Sequence, residues 1–202
     1  MDGVLVDSMP YHFISWHEAL RPFGVRVSCF DVYLKEGEKW QKSLTYFLKK
    51  ENIRPTKKIL KQIFSIHERV FKKTFKRFIF KGAPELLEDL KSKGYKLGLV
   101  TGTNSSRVRK ILNEKLLGLF DSVVTGDDVK KGKPHPEPYL RAAKMLNIQP
   151  RECIVIENAP YGIESAKRAG MFCVAITTSL PKEYLKKADK TIDKLQQISS
   201  MI

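Results

Sequence analysis

The chain has 202 residues, 42% hydrophobic and 29% charged, and its 37 Lys/Arg against 22 Asp/Glu leave a net charge of +15. That length holds one full core, or a core plus a small appended domain, and no run reaches the ~18 apolar residues of a membrane span. Cys29, Cys153 and Cys173 are too few and too widely spaced for a disulfide framework or a zinc site, which points to reduced thiols in a cytoplasmic protein with no basic-then-apolar leader in the residues given.

Residues from about Met9 to Phe80 carry a helical texture. Phe13, Trp16, Leu20 and Phe23 recur at spacings of three and four, and so do Leu60, Phe64, Phe71, Phe75 and Phe78. Thr56 is the expected N-cap of the second stripe. No strand-like run interrupts this stretch, so it reads as a small helical bundle with its aromatics in the core. Its charge is one-sided: Lys35 to Lys81 holds 15 Lys/Arg against 4 Glu. A solvated lysine face, steering of small anions and nucleic-acid binding are all open, with nucleic acid the least favoured.

From Gly82 onward, helices and strands alternate. Helices are expected over Pro84–Lys93, Ser105–Lys115, Pro136–Leu146 and Tyr161–Ala169. Strands are expected over Tyr95–Thr101, Ser122–Thr125, Cys153–Glu157 and Phe172–Ile176. Cys153 and Cys173 lie in two of these apolar runs and are expected as buried small hydrophobes. Such alternation implies a parallel sheet with crossover helices, and ligands bind such sheets beyond the carboxyl ends of the strands.

Those strand ends carry polar residues that a packed core does not need. Thr101, Gly102, Thr103 and Asn104 offer hydroxyls and backbone N–H groups just before a helix, which suits a phosphate; the competing reading is that Thr103 or Asn104 only caps that helix. Lys133 sits among prolines 134, 136 and 138, which limit where its ammonium can point. Glu157 and Asn158 end a buried β run. A carboxylate there is costly unless paired or bound to a cation, and hard oxygens from Glu and Asn suit Mg²⁺. His17, His67 and His135 lack metal-ligand spacing and receive no role.

Four segments, in order, carry a resemblance. They are Asp2-Gly-Val-Leu-Val-Asp7-Ser8; Leu99-Val-Thr101-Gly-Thr103; Lys130-Lys-Gly-Lys133-Pro-His-Pro; and Val155-Ile-Glu157-Asn158-Ala-Pro-Tyr-Gly-Ile-Glu-Ser-Ala-Lys-Arg-Ala-Gly-Met171. Together they resemble the motifs of the haloacid dehalogenase (HAD) superfamily, in its β-phosphoglucomutase-like phosphatase branch. The resemblance implies an α/β fold: a Rossmann-like parallel-sheet core of residues 1–8 and 82–202 with an inserted all-α cap of residues 9–81. It implies a Mg²⁺-dependent phosphatase that acts on a small phosphorylated metabolite through a phospho-aspartyl intermediate. Asp2 would be the general acid/base, with Thr101 and Lys133 binding the transferred phosphoryl group. Gly102, Thr103 and Asn104, with His12 and Lys35 from the cap, would contact substrate. Asp2, Glu157 and Asn158 would hold the metal.

Three departures follow. The family's nucleophilic Asp would stand directly before Met1, so about six to eight further residues are expected upstream to form its strand. Asn158 stands where many relatives have Asp. The cap segment Glu36-Gly-Glu-Lys-Trp-Gln lacks the Arg with which the mutases hold a distal phosphate, leaving only Lys39 or Lys42. A phosphatase is therefore favoured over a hexose-phosphate mutase, and a catalytically inactive anion- or nucleic-acid-binding protein is the reading from another class.

Overall fold

The structure is a computed structural model that describes residues 1–201. Four helices follow the first turn: α1 (Met9–Leu20), α2 (Cys29–Tyr33), α3 (Trp40–Lys50) and α4 (Lys57–Thr74). Thr56 caps α4 as expected, its Oγ1 accepting from Ile59 N at 3.2 Å. The four helices bury Leu20, Val32, Leu44, Leu48 and Ile63 against one another. Burying side chains of this size contributes ~1.5–3 kcal/mol each.

The α4 stripe does not continue as expected. The helix ends at Thr74, Phe75 turns extended, and Phe78 is 59% exposed. The 75–80 stretch instead runs back along the first residues, with Asp7 N donating to Phe78 O and Phe80 N to Leu5 O, both at 2.9 Å. These bonds tie together the two chain passages between cap and core. Phe71 and Tyr11 pack with the core cluster rather than with the cap interior.

The rest alternates: α5 (Ala83–Ser92), β1 (Gly98–Val100), α6 (Ser105–Ile111), α7 (Glu114–Leu117), β2 (Ser122–Val124), α8 (Glu137–Leu146), β3 (Ile154–Glu157), α9 (Pro160–Arg168), β4 (Phe172–Ile176) and β5 (Lys190–Ile192). All strand pairing is parallel, β1 with β2 and then β3–β4–β5. The single helix expected over Ser105–Lys115 is two, because Leu112 turns extended and Asn113 caps a new helix through Leu116 N. Strand β5 escapes the sequence reading; its three residues are too few for a period. Cys173 is buried as expected, but Cys153 is only partly buried. Among the described residues, no helix is long and apolar enough to cross a membrane.

Candidate active site

The carboxyl ends of β1 and β3 and the first turn of the chain meet in one small cleft, lined by Met1, Asp2, Thr101, Lys133, Glu157 and Asn158. Asp2 is 4% exposed. Its Oδ1 accepts from Ser8 Oγ at 2.5 Å, and its Oδ2 from Thr103 Oγ1 at 3.0 Å and from Thr101 Oγ1 at 3.4 Å. His12 Nε2 lies 3.5 Å from Oδ1, at the outer limit of hydrogen-bond distance. Burial alone would raise the Asp2 carboxyl; the His12 imidazole, the Met1 amino group and the Ser8 hydroxyl outweigh it and hold the acid below the usual carboxylate range.

Thr101 is fixed from both sides. Its backbone N donates to Val124 O at 2.9 Å, and its Oγ1 accepts from Thr103 N at 3.1 Å. Gly102 and Thr103 complete this loop. The Asn104 side chain faces the helix, its Oδ1 accepting from Arg107 N at 2.9 Å, so the capping reading describes its oxygen.

Lys133 and Glu157 form a buried pair, Nζ to Oε1 at 2.6 Å. Tyr139 donates its hydroxyl to the same oxygen, and Oε2 accepts from Asn158 N at 3.1 Å. Burial would raise the Glu157 carboxyl, but the Lys133 ammonium and these hydrogen bonds lower it on balance. Each Glu157 oxygen thus has a protein partner, and the carboxylate sits behind Lys133 as its counter-charge. A Cβ on Gly162 would meet that carboxylate at 2.1 Å, so α9 can approach this closely only with glycine there. Asn158 donates its Nδ2 to Ser179 Oγ at 2.9 Å.

The cap covers this cleft. Gly37 adopts φ +82°, where a Cβ would come within 2.7 Å of Lys133 Cδ, so a cap loop lies directly on the core lysine. Above it opens a cavity of about 510 Å³ whose lining includes His12, Trp16, Lys35, Trp40, His67 and Arg107. Lys35 lies over the rings of Tyr46 and Tyr161, 3.9 and 5.6 Å from their centroids. Lys39 donates to Val129 O at 2.8 Å and pins the cap to the core, and Lys42 points to solvent.

The sequence reading missed Ser8, His67, Arg107 and Tyr139. Ser8 lies inside the quoted opening motif and could have been found. The Glu157 partner of Tyr139, the Glu68 partner of Arg107 and the Trp16 ring on His67 lie far away along the chain, and no local pattern reveals them.

The chain resembles known proteins over most of its length. A family model described as haloacid dehalogenase-like hydrolase matches residues 1–176. A phosphorylated carbohydrates phosphatase from Thermotoga maritima is 33% identical over 177 residues, covering 85% of this chain and 79% of that protein. A validoxylamine A 7'-phosphate phosphatase from Streptomyces hygroscopicus subsp. limoneus is 42% identical over 118 residues. That match spans 58% of this chain and about half, 55%, of the relative's length. A crystal structure of β-phosphoglucomutase from Clostridium difficile superposes with a TM-score of 0.84 at 28% identity, covering 98% of this chain and 92% of that one.

Proposed function

The chain belongs to the haloacid dehalogenase-like hydrolase family, in its β-phosphoglucomutase-like branch, and from that premise we propose that it hydrolyses phosphate monoesters of small metabolites. One observation carries the reading: a buried, ionised Asp2 shares a cleft with the Thr101 hydroxyl and a fixed Lys133 ammonium. Phosphoryl transfer needs little beyond such positioning and charge neutralisation.

In this reading the nucleophile is the acidic residue expected immediately before Met1, and its phospho-aspartyl ester is the intermediate. Met1 supports that placement. It is 8% exposed and lines the cleft, and its nitrogen is buried within the fields of Asp2, Lys133 and Glu157. Thr101 and the loop to Asn104 bind the phosphoryl oxygens, and Lys133 offsets their charge from the other side. Asp2 acts as acid and base. Its ionised form suits the activation of water, and once it has taken up a proton it can protonate the leaving oxygen.

Asp2 and Asn158 line the cleft, and they are the residues whose side-chain oxygens would hold Mg²⁺, with Glu157 engaged behind them by Lys133 and Tyr139. A bound Mg²⁺ would neutralise phosphoryl charge. The cap, residues 9–81, shields the site from bulk water and presents the side chains that select the substrate.

The test is release of phosphate from p-nitrophenyl phosphate by the chain extended upstream to include that acidic residue, with Mg²⁺ and with a chelator. Mg²⁺-dependent release supports the proposal, and its absence refutes it. The mutase alternative requires stimulation by a sugar bisphosphate and an isomeric product. Its cap lysine, Lys39, is already engaged with Val129 O, which favours the phosphatase.

A further inference from the structure

Arg107 belongs to none of the four motifs, yet it lines the cavity between cap and core. It stands in the first turns of α6, just beyond the Thr101–Asn104 loop. Its Cζ lies 4.6 Å from the centroid of Phe71, and its Nη2 donates to Glu68 Oε1. The other face of this cluster leads to the reacting centre: the Phe71 ring lies 4.7 Å from that of His12, and His12 reaches Asp2. The Phe71 ring and the His12 imidazole therefore stand between the guanidinium and Asp2.

The two partners are unequally held. The Arg107 side chain is 14% exposed, whereas that of Glu68 is 37% exposed. Glu68 shares its Oε1 with His67 Nδ1 at 3.4 Å, and both partners keep it strongly acidic. Glu68 is the partner with open solvent beside it, while Arg107 is packed on Phe71. A guanidinium offers five donors in a planar fork that matches a carboxylate or phosphate; one of them meets Glu68 among the described residues. The cavity above, about 510 Å³, has room for a small metabolite.

We propose that Arg107 anchors a second anionic group of the substrate, a carboxylate or a further phosphate, and that Glu68 is the internal counter-ion which this group displaces. The proposal rests on the phosphomonoester reading and narrows its substrates to phosphate esters that bear another acid.

Calorimetric binding tests it without requiring turnover. Two matched pairs serve as probes: 3-phosphoglycerate with glycerol 3-phosphate, and fructose 1,6-bisphosphate with fructose 6-phosphate. The native chain should bind the doubly acidic member of one pair about 10- to 100-fold more tightly, as a charge-assisted hydrogen bond gives. The pair that discriminates identifies carboxylate or phosphate. Arg107→Gln should abolish the difference, and Arg107→Lys, which keeps the charge but not the fork, should retain part of it. Glu68→Gln should enlarge it, because the competing anion is gone. A simple cap-to-core tether predicts instead that Arg107→Gln and Glu68→Gln weaken all four ligands alike, and that result overturns the anchor. Equal affinity within both pairs for the native chain also overturns it while leaving the phosphoester site standing. No binding of any of the four removes the phosphoester reading itself.

Discussion

The Glu157 carboxylate holds the Lys133 ammonium at 2.6 Å, and both side chains are less than a tenth exposed. Two lone charges in that position would each be costly; as a pair they fix where the lysine points. Replacing Glu157 by Gln leaves the ammonium buried without a counter-charge, which costs about 3–5 kcal/mol. We expect a lower Tm for Glu157→Gln and, in the upstream-extended chain, a fall in phosphatase activity larger than the lost folded fraction explains. Because the folded-state pKa of Glu157 lies below its unfolded value, the pair's contribution is full above the ordinary carboxylate range and is lost as pH falls through the lowered value. The Tm difference between native chain and variant should therefore shrink on acidification, and a pH-independent difference would contradict the pairing.

Gly162 lets α9 lie against that carboxylate. Gly162→Ala places a methyl group 2.1 Å from Glu157 Cδ and forces a shift that costs roughly 1–3 kcal/mol. Urea unfolding should show a lower midpoint at unchanged slope, and activity in the extended chain should fall with it. An unchanged midpoint would mean that α9 moves away freely.

Asp2 is the chain's own acid/base in the proposed reaction. In the upstream-extended chain, Asp2→Asn should lower kcat on p-nitrophenyl phosphate by about 10²–10⁴-fold, the usual weight of general acid–base catalysis. Far-ultraviolet circular dichroism should remain native. A loss of less than threefold would remove Asp2 from the mechanism.

His67 is 2% exposed, and its Nε2 has no hydrogen-bond partner among the described residues. Burial among Trp16, Phe64 and Phe71 pushes its pKa from 6.5 down to about 4. The unfolded chain therefore binds a proton that the folded one refuses between those values. Stability is full above 6.5 and falls as pH drops toward 4, by on the order of 3 kcal/mol. Removing the imidazole in His67→Phe should flatten this part of the Tm-versus-pH curve. An acid limb of undiminished slope would assign it to other groups.

Thr56 isolates a purely local contribution. Thr56→Ala removes the acceptor of Ile59 N and should cost about 1 kcal/mol, read as a drop in Tm with no change in ligand affinity.

The amino-acid sequence by itself determined the family, the sheet-forming runs and the helical cap, and it singled out Asp2, Thr101 and Lys133, which the fold brings to one cleft, because each lies in a short motif or a local period. Thr56 and Asn104 were legible as caps for the same reason: a cap bonds to its own helix three residues on. Where α4 ends was not legible, since the aromatic stripe runs past Thr74 and only pairing with residues 5–7 draws the next stretch out of the helix. Nor was β5, a three-residue edge strand defined by its neighbour β4. The Tyr139 hydroxyl on Glu157, the His67 imidazole against Trp16 and the Arg107 guanidinium on Glu68 were decided by tertiary structure alone. These contacts join residues 18, 51 and 39 positions apart, and periodicity carries no information about which distant side chains a closed core will bring within reach.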